Sequence, residues 1–307
     1  MDNTNINRQY KDRLFRMIFG SPKNRHHLLS LYNAVNGTAY TNIEDLEITT
    51  IDDVIYMGIK NDVSFIISSV MSLYEHQSTF SPNLPLRGFL YSARIYESYI
   101  LAGGYDYYGR KLIKIPTPRY IIFYNGTEEF EDIVKIKLSD AFLIPDDSGE
   151  YEWTATMYNI NFGHNQKLME SCKALYEYSD LIHRIRNYRA SGLTEAEAID
   201  KAVLEASGWE CIGPFLTKHR SEVKEVLLTE FDQEKYAASL LREGEEAGFQ
   251  KGEEVGFQKG EEAGMLKISE LYRWLHEQDR REDADRIMYD ASFRGKLYEE
   301  YKEKCPV

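Results

Sequence analysis

The chain has 307 residues, of which 43% are hydrophobic, 13% aromatic and 28% charged, a folding composition long enough for one large domain or two smaller ones. No apolar run approaches the roughly 18 residues that a membrane helix needs, and the start, MDNTNINRQYKDR, lacks the apolar stretch of a secretory signal, so the expectation is a cytoplasmic protein with no membrane partner. The formal charge of −13 opposes a polyanionic partner, but residues 1–125 hold 13 basic against 11 acidic side chains and the other 182 hold 24 against 39, so the acidity belongs to the C-terminal portion.

In chain order, KDRLFRMIFG places Leu14, Phe15, Ile18 and Phe19 at helical spacing and stops at Gly20, which predicts a short helix. NRHHLLSLYNAVNG predicts a second, ended by Asn36-Gly37; its His26-His27 pair has no third ligand nearby and reads as surface and core filler. IEDLEITTIDDVIYMG reads as a loop and strand leading to NDVSFIISSVMSLYEHQSTF, a strand hairpin with a serine turn. SPNLPLRGFLYSARIYESYI, led in by Pro82 and Pro85, predicts a helix with Leu86, Phe89, Leu90, Ala93 and Tyr96 on its apolar side. RYIIFYNG is a buried strand ended by Asn125-Gly126, and IVKIKL and WTATMYNI are two more.

From about His164 the pattern turns helical. TEAEAIDKAVLEA opens on a capping box, Thr194 with Glu197, and SEVKEVLLTEF is amphipathic. An octad repeat follows, GEEAGFQK, GEEVGFQK and GEEAGMLK over residues 244–267, with glycine at every fourth position from Gly244 to Gly264. At roughly 1 kcal/mol per glycine against alanine, this is a poor solitary helix. Either the glycine stripe admits another helix at close range, giving a homo-oligomer, or the segment is a solvated tethering arm. Leu271, Trp274 and Leu275 restore ordinary helical patterning beyond it. Cys172, Cys211 and Cys305 are too scattered for a disulfide framework or a zinc knuckle and are expected as reduced thiols.

The hairpin carries the chemistry. With the turn centred on Ser68 and Ser69, Asp62 falls opposite Glu75 and Lys60 opposite Gln77, because antiparallel partners march apart symmetrically from the loop. Two opposed carboxylates destabilise a sheet unless a cation neutralises them, and a divalent metal does so. The period of two sends Gln77 to the side of Glu75 and His76 to the other. Ser64, Ile66, Met71 and Leu73 extend the acidic face towards the turn. Ser-Ser lacks the Asn-Gly chemistry that tight hairpins prefer, and an odd-length loop would put Asp62 and Glu75 on opposite faces.

A helix, three strands, a helix and a strand, with acids on the second and third strands, resembles the PD-(D/E)XK nuclease superfamily. The text KDRLFRMIFG, IKNDVSFI, YEHQSTFSPNLPLRGFLYSARIYESYI and FYNG more narrowly resembles the recombination-promoting nuclease (Rpn) family, whose members often carry a transposase label. The resemblance covers roughly residues 8 to 165 and continues into the glycine-and-glutamate tail. It implies an α/β fold with a restriction-endonuclease-like core over 1–165, a mixed sheet flanked by helices. A helical extension over 166–235 and the repeat arm with its C-terminal helix over 236–307 follow. It implies Asp62 and Glu75 as metal-binding acids for Mg²⁺ or Mn²⁺, with Asp12 completing the set. Gln77 stands where the wider superfamily has lysine, Lys60 can bring an ammonium to the same face, and Arg87 can meet a DNA phosphate or cap the helix. The implied activity is Mg²⁺-dependent cleavage of DNA with low sequence specificity, in recombination, mobile-element or defence settings. The alternative is an inactive DNA-associated or regulatory protein assembling through its tail.

Overall fold

The β-rich alternation from Val63 to Gln77 folds in the register that the serine turn demands. This computed structural model describes residues 13–49, 63–146 and 148–305. Strand β2 (Val63–Ile67) pairs antiparallel with β3 (Val70–Gln77), Ile67 opposite Val70 and Val63 opposite Tyr74. Ser68 and Ser69 have φ of 47° and 67°. Two successive left-handed residues make the mirror-image turn whose twist matches paired strands, and serine adopts it at a cost that Asn-Gly avoids. Replacing Ser68→Asn together with Ser69→Gly is expected to raise stability by roughly 1 kcal/mol. A shift of the urea midpoint to higher concentration checks this; an unchanged or lower midpoint contradicts it.

Among the described residues six strands form one sheet, in the order Glu47–Ile48 (β1), β2, β3, Thr117–Tyr124 (β4), Thr154–Asn159 (β6) and Ile133–Lys137 (β5). The short β1 (Glu47–Ile48) flanks β2 at one edge. From β3 the chain crosses through helix α3 (Leu84–Ala102) to β4 (Thr117–Tyr124), which runs parallel to β3. β6 (Thr154–Asn159) is parallel to β4, and β5 (Ile133–Lys137) closes the other edge antiparallel to β6. Tyr120 to Tyr124 are buried without interruption, as expected of an interior parallel strand covered on both faces.

One face of the sheet packs under α3, where Met71, Leu73, Tyr120, Ile122, Tyr124 and Met157 meet Leu84, Tyr91 and Ile95. The other face is covered by helices from both ends of the first unit. These are α1 (Arg13–Phe15), which runs into a π-helical turn over Arg16–Gly20, and α2 (Arg25–Asn36). With them lie α4 (Gln166–Ser171), α5 (Lys173–Ala190), α6 (Glu195–Ala206), α7 (Gly213–Lys218) and the start of α8 (Arg220–Glu277). Val63, Phe65, Tyr74 and Phe123 share this core with Leu175, Tyr178, Ile199 and Leu227, so the helices beyond residue 165 pack directly on the sheet. Thr194 and Glu197 cap α6 reciprocally, and Gly37 ends α2 at φ 64°.

The apolar side expected for α3 is corrected. Leu86 (44% exposed) and Leu90 point outward, whereas Leu84, Gly88, Tyr91, Ser92 and Ile95 are buried. The reason lies at Gly88, where an added Cβ would sit 2.8 Å from Tyr120 Cγ and nearer still to two other ring atoms. The helix turns its one residue without a side chain to the sheet because the Tyr120 ring occupies that space.

The chain divides into compact units of residues 1–235 and 236–307. In the second, Leu271, Trp274 and Leu275 of α8 form a core with Ala284 of α9 (Arg281–Arg286), Ile287, and Leu297 of α10 (Ala291–Lys304). The octad repeat lies within α8, and among the described residues nothing beyond the helix's own adjacent backbone comes within 4 Å of a Cβ placed on any of its six glycines. Among the described residues no helix is long and apolar enough to cross a membrane.

Candidate functional site

Glu75 is the third residue from the C-terminal end of β3, opposite Ile122 of β4, on the face that β3 turns to α3. It is a carboxylate only 2% exposed, and burial of that kind requires partners for its charge and its lone pairs. Three side chains supply them. Gln77, two residues on and therefore on the same face, donates from Nε2 to Glu75 Oε1 at 2.9 Å. Arg87, in the first turn of α3, pairs through Nη2 with the same oxygen, and the Tyr120 hydroxyl donates to Oε2. Burial pushes the Glu75 carboxyl above the ordinary carboxylate range, and the Arg87 guanidinium and Tyr120 hydroxyl hold part of that rise back. Burial opposes the Arg87 charge, yet Glu75 together with the Tyr91 and Tyr120 hydroxyls outweighs it and holds the guanidinium above its ordinary range. Tyr120 is pushed well up by burial and then by the Glu75 charge, so its hydroxyl is a donor at any working pH.

The site thus brings together three of the residues expected from sequence, Glu75, Gln77 and Arg87. Asp12, Lys60 and Asp62 lie outside the described residues. Tyr120 was not anticipated. Its signal is parity on β4, where it shares a face with Ile122, but it becomes readable only once the parallel pairing of Glu75 with Ile122 is known.

His76 turns to the opposite face, as the alternation requires. Its ring stacks on Phe15 with centroids 5.0 Å apart, and its Nε2 lies 2.9 Å from the Tyr178 hydroxyl, which also accepts from Asn125 Nδ2 at 3.3 Å. This buried chain ties the ends of β3 and β4 to α5. His26 and His27 have ring centroids 4.0 Å apart; burial first, and then the neighbouring His26, lower His27 to about 4.

The oxygen donors of Glu75 and Gln77 are the class that Mg²⁺ and Mn²⁺ take. Among the described residues no group of three or more His, Cys, Asp and Glu side chains is arranged to hold a metal ion, and Glu75 is the charged ligand that this patch contributes. In donor type the residues fit a hard divalent cation, with Arg87 standing where such a cation would neutralise the carboxylate. No protein-family model, curated protein or solved structure matches the chain.

Proposed function

We propose that the chain is a divalent-metal-dependent DNA endonuclease of the PD-(D/E)XK class, similar to the Rpn family. One observation carries the reading: a buried carboxylate, Glu75, stands at the end of a central strand with Gln77 on its face, in a hairpin whose observed register is the one from which Asp62 was expected opposite Glu75. The order of elements supports it, since an antiparallel meander, β1-β2-β3, passes through α3 to a parallel β4.

In this reading Glu75 and Asp62 hold the cation, with Asp12 as a further acid. When bound, the metal supplies an activated water and charge stabilisation on the phosphate oxygens. Gln77 orients the Glu75 carboxylate through its amide, and Tyr120 fixes the other oxygen from β4. Arg87, its side chain 38% exposed, and Lys60 offer positive charge to a DNA phosphate. Incubating the purified protein with supercoiled plasmid, with and without Mg²⁺ or Mn²⁺, is expected to give metal-dependent nicking that Asp62→Ala and Glu75→Ala each reduce by at least a hundredfold, about 2.7 kcal/mol of transition-state stabilisation. Cutting by either variant at the wild-type rate would overturn the assignment.

A second reading, a DNA-associated or regulatory protein without catalysis, has its own support: Arg87 already answers the Glu75 charge. Absence of metal-dependent nicking by the wild-type protein selects it. Under both readings the repeat assembles the chain. Phe249, Phe257 and Met265, one per octad, stand exposed beside glycines that no other element among the described residues approaches, and a second copy of the helix can cover them. Deleting residues 244–267 is expected to lower the mass measured by light scattering; an unchanged mass makes the repeat a free arm.

A further inference from the structure

The connection from α3 to β4 spans residues 103–116, longer than most loops in compact domains and of the length that usually carries function. Every residue from Leu101 to Leu112 is exposed. Tyr107 is 64% and Tyr108 87% exposed, their ring centroids 4.5 Å apart. Tyr108 gains little from burial, and Tyr107 is only partly seated against Leu90 and Leu101 of α3, so packing accounts for little of either ring.

The loop is nonetheless anchored. Tyr96 donates from its hydroxyl to Pro116 O at 2.7 Å, Thr117 N donates to Ser69 O at 2.9 Å, and Tyr99 and Tyr105 stack with centroids 5.9 Å apart. Asp106, the loop's one acid, is used internally: its carboxylate accepts from Tyr108 N at 3.0 Å, and its carbonyl accepts from Gly109 N at 3.1 Å. Arg110, Lys111 and Lys114 follow directly, and among the described residues none of the three has an ion-pair partner. A chain of net charge −13 therefore presents three unneutralised cations next to two largely exposed tyrosine rings on one anchored loop.

We infer that this loop binds single-stranded nucleic acid, with Tyr107 and Tyr108 as stacking platforms for bases and Arg110, Lys111 and Lys114 as contacts to the backbone phosphates. Base stacking on aromatic side chains combined with flanking cations is the chemistry of sequence-tolerant strand binding. A duplex hides its base faces, so the tyrosines select unpaired strands. An anionic membrane surface would also meet the cations, but the loop's exposed aliphatic side chains, Leu112 and Ile115, do not make the continuous apolar face that holds a segment at an interface. The surface is separate from Glu75. Thr117 pairs with Val70 at the start of β3, whereas Glu75 and Gln77 lie towards its other end, roughly 16 to 23 Å along the strand. The inference holds whether or not Glu75 binds a metal.

The test is fluorescence anisotropy of the full chain with labelled oligothymidylate of about 20 nucleotides, in EDTA so that no cleavage intervenes. Oligouridylate and a duplex of equal length serve as the other arms. Binding to a single strand is expected, with log K falling against log salt with a slope of about −2 for three phosphate contacts. Tyr107→Ala with Tyr108→Ala weakens it at least tenfold, and Arg110→Gln with Lys111→Gln and Lys114→Gln flattens the slope. The tighter of the thymidylate and uridylate arms names the sugar. Equal binding of the duplex, wild-type affinity in both sets of variants, no binding at all, or uptake only by phosphatidylserine vesicles would each overturn the inference. Circular dichroism confirms that the variants are folded, as expected for exposed loop side chains.

Discussion

Gly88→Ala will destabilise the protein by roughly 2–3 kcal/mol, although alanine at an interior helix position ordinarily gains about 1 kcal/mol over glycine. The sign reverses because of what the helix rests on. Gly88 of α3 faces Tyr120 of β4, and a Cβ there falls inside the contact distance of its ring. Tyr120 is 2% exposed and its hydroxyl is engaged by Glu75, so the ring can yield only by releasing the carboxylate or by lifting α3 and its Leu84, Tyr91 and Ile95 from the core. Urea unfolding measures the loss. In a Tyr120→Ala background the same substitution should cost little, since the obstructing ring is gone; this coupling is the signature of a direct contact. A Gly88→Ala protein as stable as wild type would show that the helix sits further from the sheet than described. A displaced Tyr120 also frees Glu75 Oε2, so packing and site are disturbed by one methyl group.

That contact also shows where sequence reading succeeds and where it stops. The hairpin was legible because alternation and a two-residue turn jointly fix a register, and a slip of one residue would have moved Val63, Phe65 and Ile67 out of the core they share with Tyr74 and Phe123. From that register alone Glu75 and Gln77 share a face and His76 leaves it. The face of α3 was not legible. Leu86, Leu90 and Ala93 form a plausible apolar stripe, and hydrophobic pattern has no term for a glycine chosen so that a ring can press on the backbone. The partners of Glu75 were hidden for a related reason. Tyr120 is 45 residues away in sequence, and the parallel pairing that aligns it depends on a crossover whose length fixes no register. Arg87 was visible as a cation on the following helix, but whether it faces solvent or a buried acid is decided by the rotation that Gly88 sets. The π-helical turn at Arg16–Gly20 likewise has the apolar spacing of an ordinary helix and leaves no separate trace in pattern.

Arg87→Met will cost about 2–4 kcal/mol at pH 7, and the loss will shrink as the pH falls. The pair it breaks is asymmetric: the Glu75 side chain is 3% exposed and that of Arg87 38%. Removing one partner of a fully buried pair costs about 3–5 kcal/mol, and the solvent that reaches Arg87 screens part of this. Burial already holds the Glu75 carboxyl above its ordinary value, with Arg87 the main force pulling it back. Without the guanidinium the folded-state pKa rises further. A carboxyl whose folded pKa lies above its unfolded value has its contribution fully present below the unfolded pKa and loses it as pH rises through the folded one. The difference between variant and wild type should therefore be smallest near pH 4, where Glu75 is largely protonated in the unfolded chain and more so in the folded variant. It should grow steadily towards pH 7 as the variant is forced either to bury an unpaired charge or to keep a proton that solvent would take. Comparing the two proteins at each pH by urea unfolding cancels the other carboxylates. Adding Glu75→Gln should remove the pH dependence of the difference and recover most of the stability at pH 7, because an amide can remain with Tyr120 and Gln77 without a counter-charge. A deficit that stays constant across this range would mean that Arg87 contributes packing alone. A deficit that follows the predicted slope makes it the counter-cation of Glu75, the role that a bound metal would have to take over before Arg87 could be released towards a phosphate.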